Sequence, residues 1–245
     1  MTSPIGETPR CFINHAWREG GHAFALQIRE QLRQRGIESW IDEKSILGGE
    51  HLKSSIRQGV IRQCNVFLAI MTVAWMHSIP CQYELALAQE RRDRDGVQII
   101  PILWETLPEK PEDLDSTLYI DFRDANRMPE SVDRLVEAIT SGFLIYSIVN
   151  RVRAGARHER WQAAQHLGTL ENPFVMPILI RRLREETDPV SKYWVAISIG
   201  KIDGMKGVKA LEEALAGETN EYVRGGIHEA LRMKGRSNRN GTCSG

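Results

Sequence analysis

The chain carries little that would commit it to redox, metal or membrane chemistry. Among its 245 residues only Cys11, Cys64, Cys81 and Cys243 are cysteines, and no two form a C-x-x-C pair. Neither a zinc knuckle nor a dithiol motif is encoded, no metal is expected, and three of the four read as small apolar fillers. No apolar run reaches the roughly 18 residues of a membrane span, and the opening MTSPIGETPR lacks the apolar stretch of a signal peptide. A cytoplasmic protein with no membrane contact is therefore expected. No G-x-G-x-x-G follows the first strand signal, which argues against a dinucleotide held as a hydride carrier.

Net charge is lacking too: 32 basic residues balance 32 acidic ones. The halves nevertheless differ. Residues 1–150 hold 16 Lys and Arg against 21 Asp and Glu, a balance of −5, whereas residues 151–245 hold 16 against 11, a balance of +5. That polarity fits two domains with different tasks and points an acidic partner toward the second half. The surplus is too small to diagnose a nucleic-acid binder, and nucleic acid is not expected as a partner. With 42% hydrophobic and 26% charged residues, the chain is an ordinary globular sequence with enough apolar mass for two cores.

The first half alternates strand and helix signals. CFIN is a short apolar strand, followed by Phe24, Ile28 and Leu32 at helical spacing with Gly36 as the stop. IESWID is a second strand. After the loop EKSILGGE comes a helix with Leu52, Ile56 and Val60, then NVFLAIM, apolar throughout like a strand covered on both faces. VQIIPILW and LYIDF supply two more strands, and Ser131 to Ile139 a closing helix with Val132, Leu135, Val136 and Ile139. This is the pattern of a five-stranded parallel α/β sheet.

One residue interrupts the pattern. In SIPCQYELALAQERR, Ser78 to Arg92, Glu84 falls between Leu87 and Ala88 on the inward side of an amphipathic helix. Burying a carboxylate costs several kcal/mol, roughly, unless it is compensated. A glutamate favoured by the helix dipole in the first turn is the ordinary explanation. In open parallel sheets, however, ligands bind outside the carboxyl ends of the strands where strand order reverses. Three segments converge there: NHAW, EKSILGGE and TVAWMHSIPCQYE, the last carrying Glu84.

The ordered blocks CFINHAW, W-x-D at Trp40 to Asp42, the Gly48-Gly49 loop and C-x-x-E at Cys81 to Glu84 resemble a Toll/interleukin-1 receptor (TIR) domain from about Arg10 to Ile139. The resemblance implies a flavodoxin-like fold over residues 10–141 and, for NAD⁺-cleaving members, Glu84 as the essential carboxylate. It also implies substrate contacts from His15, Trp17, Asp42, Leu47, Gly49, Trp75 and Cys81. NAD⁺ would then be substrate, with no resident cofactor. Pro80 stands where enzymatic members often carry an aromatic residue, and Gly48-Gly49 replaces a common Pro-Gly; Trp75 or Trp17 could supply the missing aromatic face, although a tryptophan beside a strand is ordinarily core. His15, a polar residue at a strand end, is equally readable as simply exposed. The glycine loop is expected to be mobile until it meets a neighbouring TIR domain.

The second half repeats itself. ERWQAAQHLG from Glu159, SKYWVAISIG from Ser191 and VRGGIHEALR from Val223 align at a period of 32 residues. Leu167, Ile199 and Leu231 coincide, as do Ala164 with Ala196, Leu179 with Leu211, Leu183 with Leu215, and Thr187-Asp188 with Thr219-Asn220. Such self-similarity is that of a helical solenoid and resembles short HEAT-like repeats over residues 156–235. GFLIYSIVNRVR, within residues 142–155, reads as a connecting helix that caps the first repeat, and residues 236–245 as a disordered tail. Arg160, Lys192 and Arg224 recur on the first helix of each unit and are expected to form a row for an acidic ligand or protein.

Two classes of function follow. An enzyme would cleave NAD⁺ to nicotinamide and linear or cyclic ADP-ribose, as a self-associating immune or anti-phage effector. A scaffold would use the TIR fold for protein contacts only, with Glu84 merely opening a helix. A nucleoside transferase sharing the fold type would leave the repeats unexplained.

Overall fold

In the computed structural model, residues 8–18, 20–41, 61, 63–109, 111, 114, 119–202 and 204–240 are described. The loop from Glu43 to Glu50 and the helix expected around Leu52, Ile56 and Val60 lie outside them. The chain divides into two compact units, residues 1–92 with 97–144 and residues 93–96 with 145–245.

The first unit is built on strands β1 (Arg10–Asn14), β2 (Glu38–Ile41), β3 (Val66–Met71), β4 (Gln98–Leu103) and β5 (Ile120–Asp121). They form one sheet in the order β2-β1-β3-β4-β5, with every pairing parallel. Strand order reverses between β1 and β3. β3, Val-Phe-Leu-Ala-Ile-Met, is buried at every position, as its unbroken apolar run requires of a strand covered on both faces. Pro101 lies inside β4, a position where a missing N–H would break a ladder. It is tolerated beside a short neighbour: β5 pairs only with Ile102 and Leu103.

Helix α1 (Gly21–Gln34) buries Phe24, Ala25, Ile28 and Leu32, and Gly36 follows it at φ +73°. α2 (Val73–Met76) is a single turn, and α3 (Ile79–Asp95) is the helix of Glu84. The expected closing helix and connecting helix are one continuous element, α4 (Met128–Ala154). Gly142 does not break it, because the glycine sits where a Cβ would come within 2.8 Å of the Gln98 side chain; close packing there outweighs the roughly 1 kcal/mol that glycine costs a helix. Burial holds the Cys11 and Cys64 thiols protonated, pushing Cys64 up to about 11 and Cys11 further. Both are inert filler.

The second unit stacks α5 (Arg157–Thr169), α6 (Met176–Glu185), α7 (Pro189–Lys201), α8 (Met205–Gly217) and α9 (Glu221–Asn240). Ile148, Val149 and Val152 from the end of α4 share its core with Ala164, Leu167, Leu179, Ala196, Ile199 and Leu211. First helices of successive repeats meet at glycines: a Cβ on Gly168 would lie 2.9 Å from Ser198 Cα, and one on Gly200 would lie 2.7 Å from Ala230 Cα. α9 runs to Asn240, into the stretch expected to be a disordered tail.

The 32-residue period is also a period of hydrogen bonds. Glu186 Oε1 accepts from the Thr187 and Asp188 N–H groups at 3.0 and 2.9 Å, and Glu218 Oε1 accepts from Thr219 and Asn220 at the same two distances. Asp188 and Asn220 then cap the next helices by accepting from Ser191 and Val223. These turns correct the expected basic row. Arg160 is bound to Glu186 at 3.0 Å, Lys192 to Glu218 at 2.7 Å, and Arg224 donates to the carbonyls of Leu215 and Glu218. The row closes the turns between repeats rather than facing an outside partner.

Glu186 is the centre of the first such turn, and Arg182 reaches it as well at 2.5 Å. Burial pushes its carboxyl upward, but the Asp188 N–H and the two guanidiniums outweigh that and hold it below the usual range. A carboxyl lowered in the folded state stabilises above its unfolded pKa, about 4.3, and loses that contribution as pH falls through the folded value. Glu186→Gln should therefore destabilise the helical unit at pH 7 by about 3–5 kcal/mol, leaving two arginines unpaired. The deficit relative to the parent should shrink as pH falls below about 4. Melting followed by circular dichroism across pH 3–8 checks this, and parallel curves would refute the role given to Glu186.

Candidate functional site

The reversal of strand order places the carboxyl ends of β1 and β3 side by side, and the polar groups of the first unit gather there. Asn14 is the last residue of β1 and is buried. Thr72 follows β3 and caps α2, its hydroxyl accepting from Trp75 N–H at 3.0 Å, while Glu105, beyond β4, accepts from Val73 N–H. This doubly capped turn carries the fully buried indole of Trp75 to Asn14. An indole N–H can only donate. It donates to Asn14 Oδ1, so the amide nitrogen must face the other way.

That nitrogen donates to Glu84 Oε2 at 2.5 Å and lies 3.4 Å from the Cys81 carbonyl. Glu84 is 3% exposed, in the row of α3 that also buries Cys81, Leu85, Ala88 and Arg91. α3 begins at Ile79, so Glu84 stands in its second turn and no acidic residue occupies the first; the helix-dipole explanation of a first-turn glutamate therefore does not account for it. Ser78 Oγ accepts from Cys81 N–H at 3.4 Å, and Gln82 Nε2 donates to the Trp75 carbonyl at 3.0 Å, tying that first turn back to α2. The result is a desolvated carboxylate with one oxygen fixed by an amide whose orientation is itself fixed.

Beside it lies an aromatic cluster. His15 directly follows β1 and is buried, its Nε2 2.9 Å from His22 Nδ1. One ring must donate while the other accepts. Trp17 stacks on His22 with centroids 4.0 Å apart and an interplanar angle of 15°. The structure thus brings His15 and Trp17 together with His22, and Glu84 together with Trp75 and Cys81. Asp42, Leu47 and Gly49 lie outside the described residues. Two expectations change. His15 is buried rather than exposed, because His22 completes its polar contacts. Trp75 offers no ring face to a ligand, because it is fully enclosed and serves to orient Asn14.

Asn14 and His22 are absent from the sequence-derived set. A polar residue closing a buried strand is a faint sign of the first. Nothing local marks the second, which meets His15 only through the turn into α1. Among the described residues no three or more His, Cys, Asp or Glu side chains gather as a metal site, and no helix is long and apolar enough to cross a membrane.

Residues 11–136 match the TIR domain family, and residues 148–232 match the HEAT repeat family. A curated relative from Brachypodium distachyon, BdTIR, described as a probable 2′ cyclic ADP-D-ribose synthase, is 33% identical over 103 residues, which make up 42% of this chain and 42% of the relative. The match thus spans less than half of that protein's length. Among solved structures, the TIR domain of the Toll-related receptor TRR-2 from Hydra magnipapillata is 20% identical, covering 53% of this chain and 97% of its own, with a TM-score of 0.44. A prokaryotic SEFIR domain is 18% identical, covering 54% and 92%, with a TM-score of 0.42. With the parallel five-stranded sheet, its reversal between β1 and β3 and the family match over more than half of its length, the chain belongs to the TIR domain family, and HEAT repeats follow the TIR domain.

Proposed function

We propose that this chain is an NAD⁺ glycohydrolase that releases nicotinamide and ADP-ribose, linear or cyclised. The observation that carries the reading is the buried Glu84 carboxylate, held by Asn14 at the carboxyl edge of β1 and β3. The activity named for the Brachypodium relative supports it at the level of the family. NAD⁺ is substrate here, not cofactor.

The chemistry asks little of the protein. Nicotinamide is a cationic substituent that departs neutral, so the C1′–N bond can break without a general acid. Positive charge develops on the ribose as the bond lengthens. A carboxylate fixed in a water-poor site opposes that charge, as in glycoside hydrolysis. Water, or a hydroxyl of the ADP-ribose moiety, then bonds to C1′ and loses its proton, to Glu84 or to solvent; the choice of nucleophile sets a linear or a cyclic product. Asn14 positions Glu84, and Trp75 positions Asn14. The stacked pair of Trp17 with His22 offers an aromatic surface for a nicotinamide or adenine ring.

A second reading is a non-catalytic TIR scaffold. Pro80 favours it, because no aromatic residue stands before Cys81, and Trp75 is enclosed and cannot substitute. In that reading the Glu84 to Asn14 bond only fastens α3 to the sheet. In the enzymatic reading the TIR domains self-associate, the repeats assist that assembly, and the protein acts as an immune or anti-phage effector.

Glu84→Gln is nearly isosteric and should keep the fold while lowering NAD⁺ turnover by about 10²-fold or more. Nicotinamide release measured by chromatography decides the matter. Full turnover in the folded variant removes Glu84 from the mechanism, and no turnover in the parent, even after forced clustering, leaves the scaffold. Asn14→Asp sets a second carboxyl against Glu84. Two carboxyls sharing a site raise one titration well above its usual range. The acid limb of the kcat profile should therefore move up by about one pH unit or more, and an unshifted limb would count against Asn14 as a positioning residue. Specific activity of the parent should also rise with protein concentration if assembly completes the site. Strict proportionality down to nanomolar enzyme, with a monomer by light scattering, would exclude that requirement.

A further inference from the structure

Four arginines meet at a cleft inside the helical unit. Arg94 lies at the end of α3, Arg153 in the last turn of α4, and Arg181 and Arg182 on α6. All four belong to the second unit and line a cleft of about 220 Å³. Among the described residues a single carboxylate, Glu185, shares its wall, and Ile178 and Ala154 supply an apolar side. Guanidinium groups in such a setting match phosphate oxygens in charge and geometry.

Arg94, Arg153 and Arg182 are held in place from behind, whereas Arg181 pairs with Glu185 in the cleft wall at 2.8 Å. Arg94 clasps Asp95 through Nε and Nη2 at 3.0 and 2.9 Å, and Arg153 Nη1 meets the same carboxylate at 3.0 Å. Arg182 uses Nε and Nη2 on Glu186. The side chains of Asp95 and Glu186 are nearly enclosed, at 12% and 1% exposure, whereas those of Arg94, Arg153 and Arg181 are 38–53% exposed. The anchoring acids sit inside, with Arg182 itself mostly enclosed at 16% and the other three cations outside. A guanidinium carries five N–H donors, and these bonds occupy one or two on Arg153 and Arg182. The charges converge on one point: Arg181 through its hydrogen bond, and then the charges of Arg181, Arg182 and Arg153, hold the Glu185 carboxyl below its usual range.

We infer that this cleft binds the phosphate or diphosphate group of a small ligand. Its volume is below the roughly 300–1,000 Å³ of pockets that enclose a drug-sized molecule, so it admits the anionic group and leaves the remainder of a nucleotide outside. An acidic ligand was expected on the repeats, and the cleft supplies the location that the Arg160, Lys192 and Arg224 row does not. The same chemistry could come from a free anion or from a nucleotide such as the ADP-ribose named in the proposed reaction. Binding at the cleft does not depend on that reaction.

Calorimetric titration of the full chain with pyrophosphate, ADP and adenosine tests the site. Pyrophosphate and ADP should bind, adenosine should not, and affinity should fall as salt is raised. Arg181→Gln should weaken binding by about fivefold, the upper range for one exposed charge pair, and Glu185→Gln should strengthen it. Arg184→Gln, whose partner is Glu213 and which does not line the cleft, should change nothing. Equal affinity for pyrophosphate and ADP assigns the site to a free anion, and tighter ADP assigns it to a nucleotide. Pyrophosphate that fails to bind at millimolar concentration, or binds alike to the parent, Arg181→Gln and Glu185→Gln, overturns the inference. Each variant alters a well-exposed side chain, so circular dichroism should match the parent.

Discussion

A carboxylate removed from water must be met by donors, and the Glu84 carboxylate of this chain is met by the amide of Asn14. Much of the TIR domain's architecture at that edge serves this one contact. β1 ends in asparagine rather than in another apolar residue. The single turn α2 is capped twice, by Thr72 and Glu105, and so delivers the indole that decides which end of the Asn14 amide faces the carboxylate. The first turn of α3 is tied back to α2 through Gln82. Breaking the Trp75–Asn14 or Asn14–Glu84 contact separates buried polar groups that bond each other, which costs more than the bond itself contributes.

The repeats follow a different constraint with the same logic. Each turn between repeats must satisfy the N–H groups that open the next helix, and a glutamate does so at both described turns. A glutamate drawn into that position needs a cation, and the basic residue of the preceding first helix supplies it. Charge that looks like a binding face in one dimension is thereby consumed in closing the array. The arginines proposed for a ligand gather instead at the cleft, where Arg153 has its acid, Asp95, nearly enclosed behind it and Arg181 pairs with Glu185 in the wall.

Joining the TIR sheet to helical repeats gives the chain two chemically distinct proposed sites, one built around a carboxylate and one around guanidiniums. The first suits a substrate that develops positive charge, and the second suits a fixed anion. Under the proposed reaction NAD⁺ carries both features, a ribose that becomes cationic on cleavage and a diphosphate, whereas ADP-ribose keeps only the diphosphate.

Periodicity carried most of the architecture. The apolar runs of β1 to β5, the spacing of Phe24, Ile28 and Leu32, and the 32-residue repeat are local patterns, and burial enforces them wherever the chain folds. The inward placement of Glu84 belongs to the same class, because a position on a helix face follows from 100° per residue. What local pattern could not supply was partnership. Asn14 and Glu84 are separated by 70 residues, Trp75 and Asn14 by 61, and Arg160 and Glu186 by 26. Whether Trp75 is a platform or a buried strut, whether His15 faces solvent or His22, and whether the basic row is a surface or a set of turn closures were settled only when strand order and helix stacking brought those side chains within hydrogen-bonding distance.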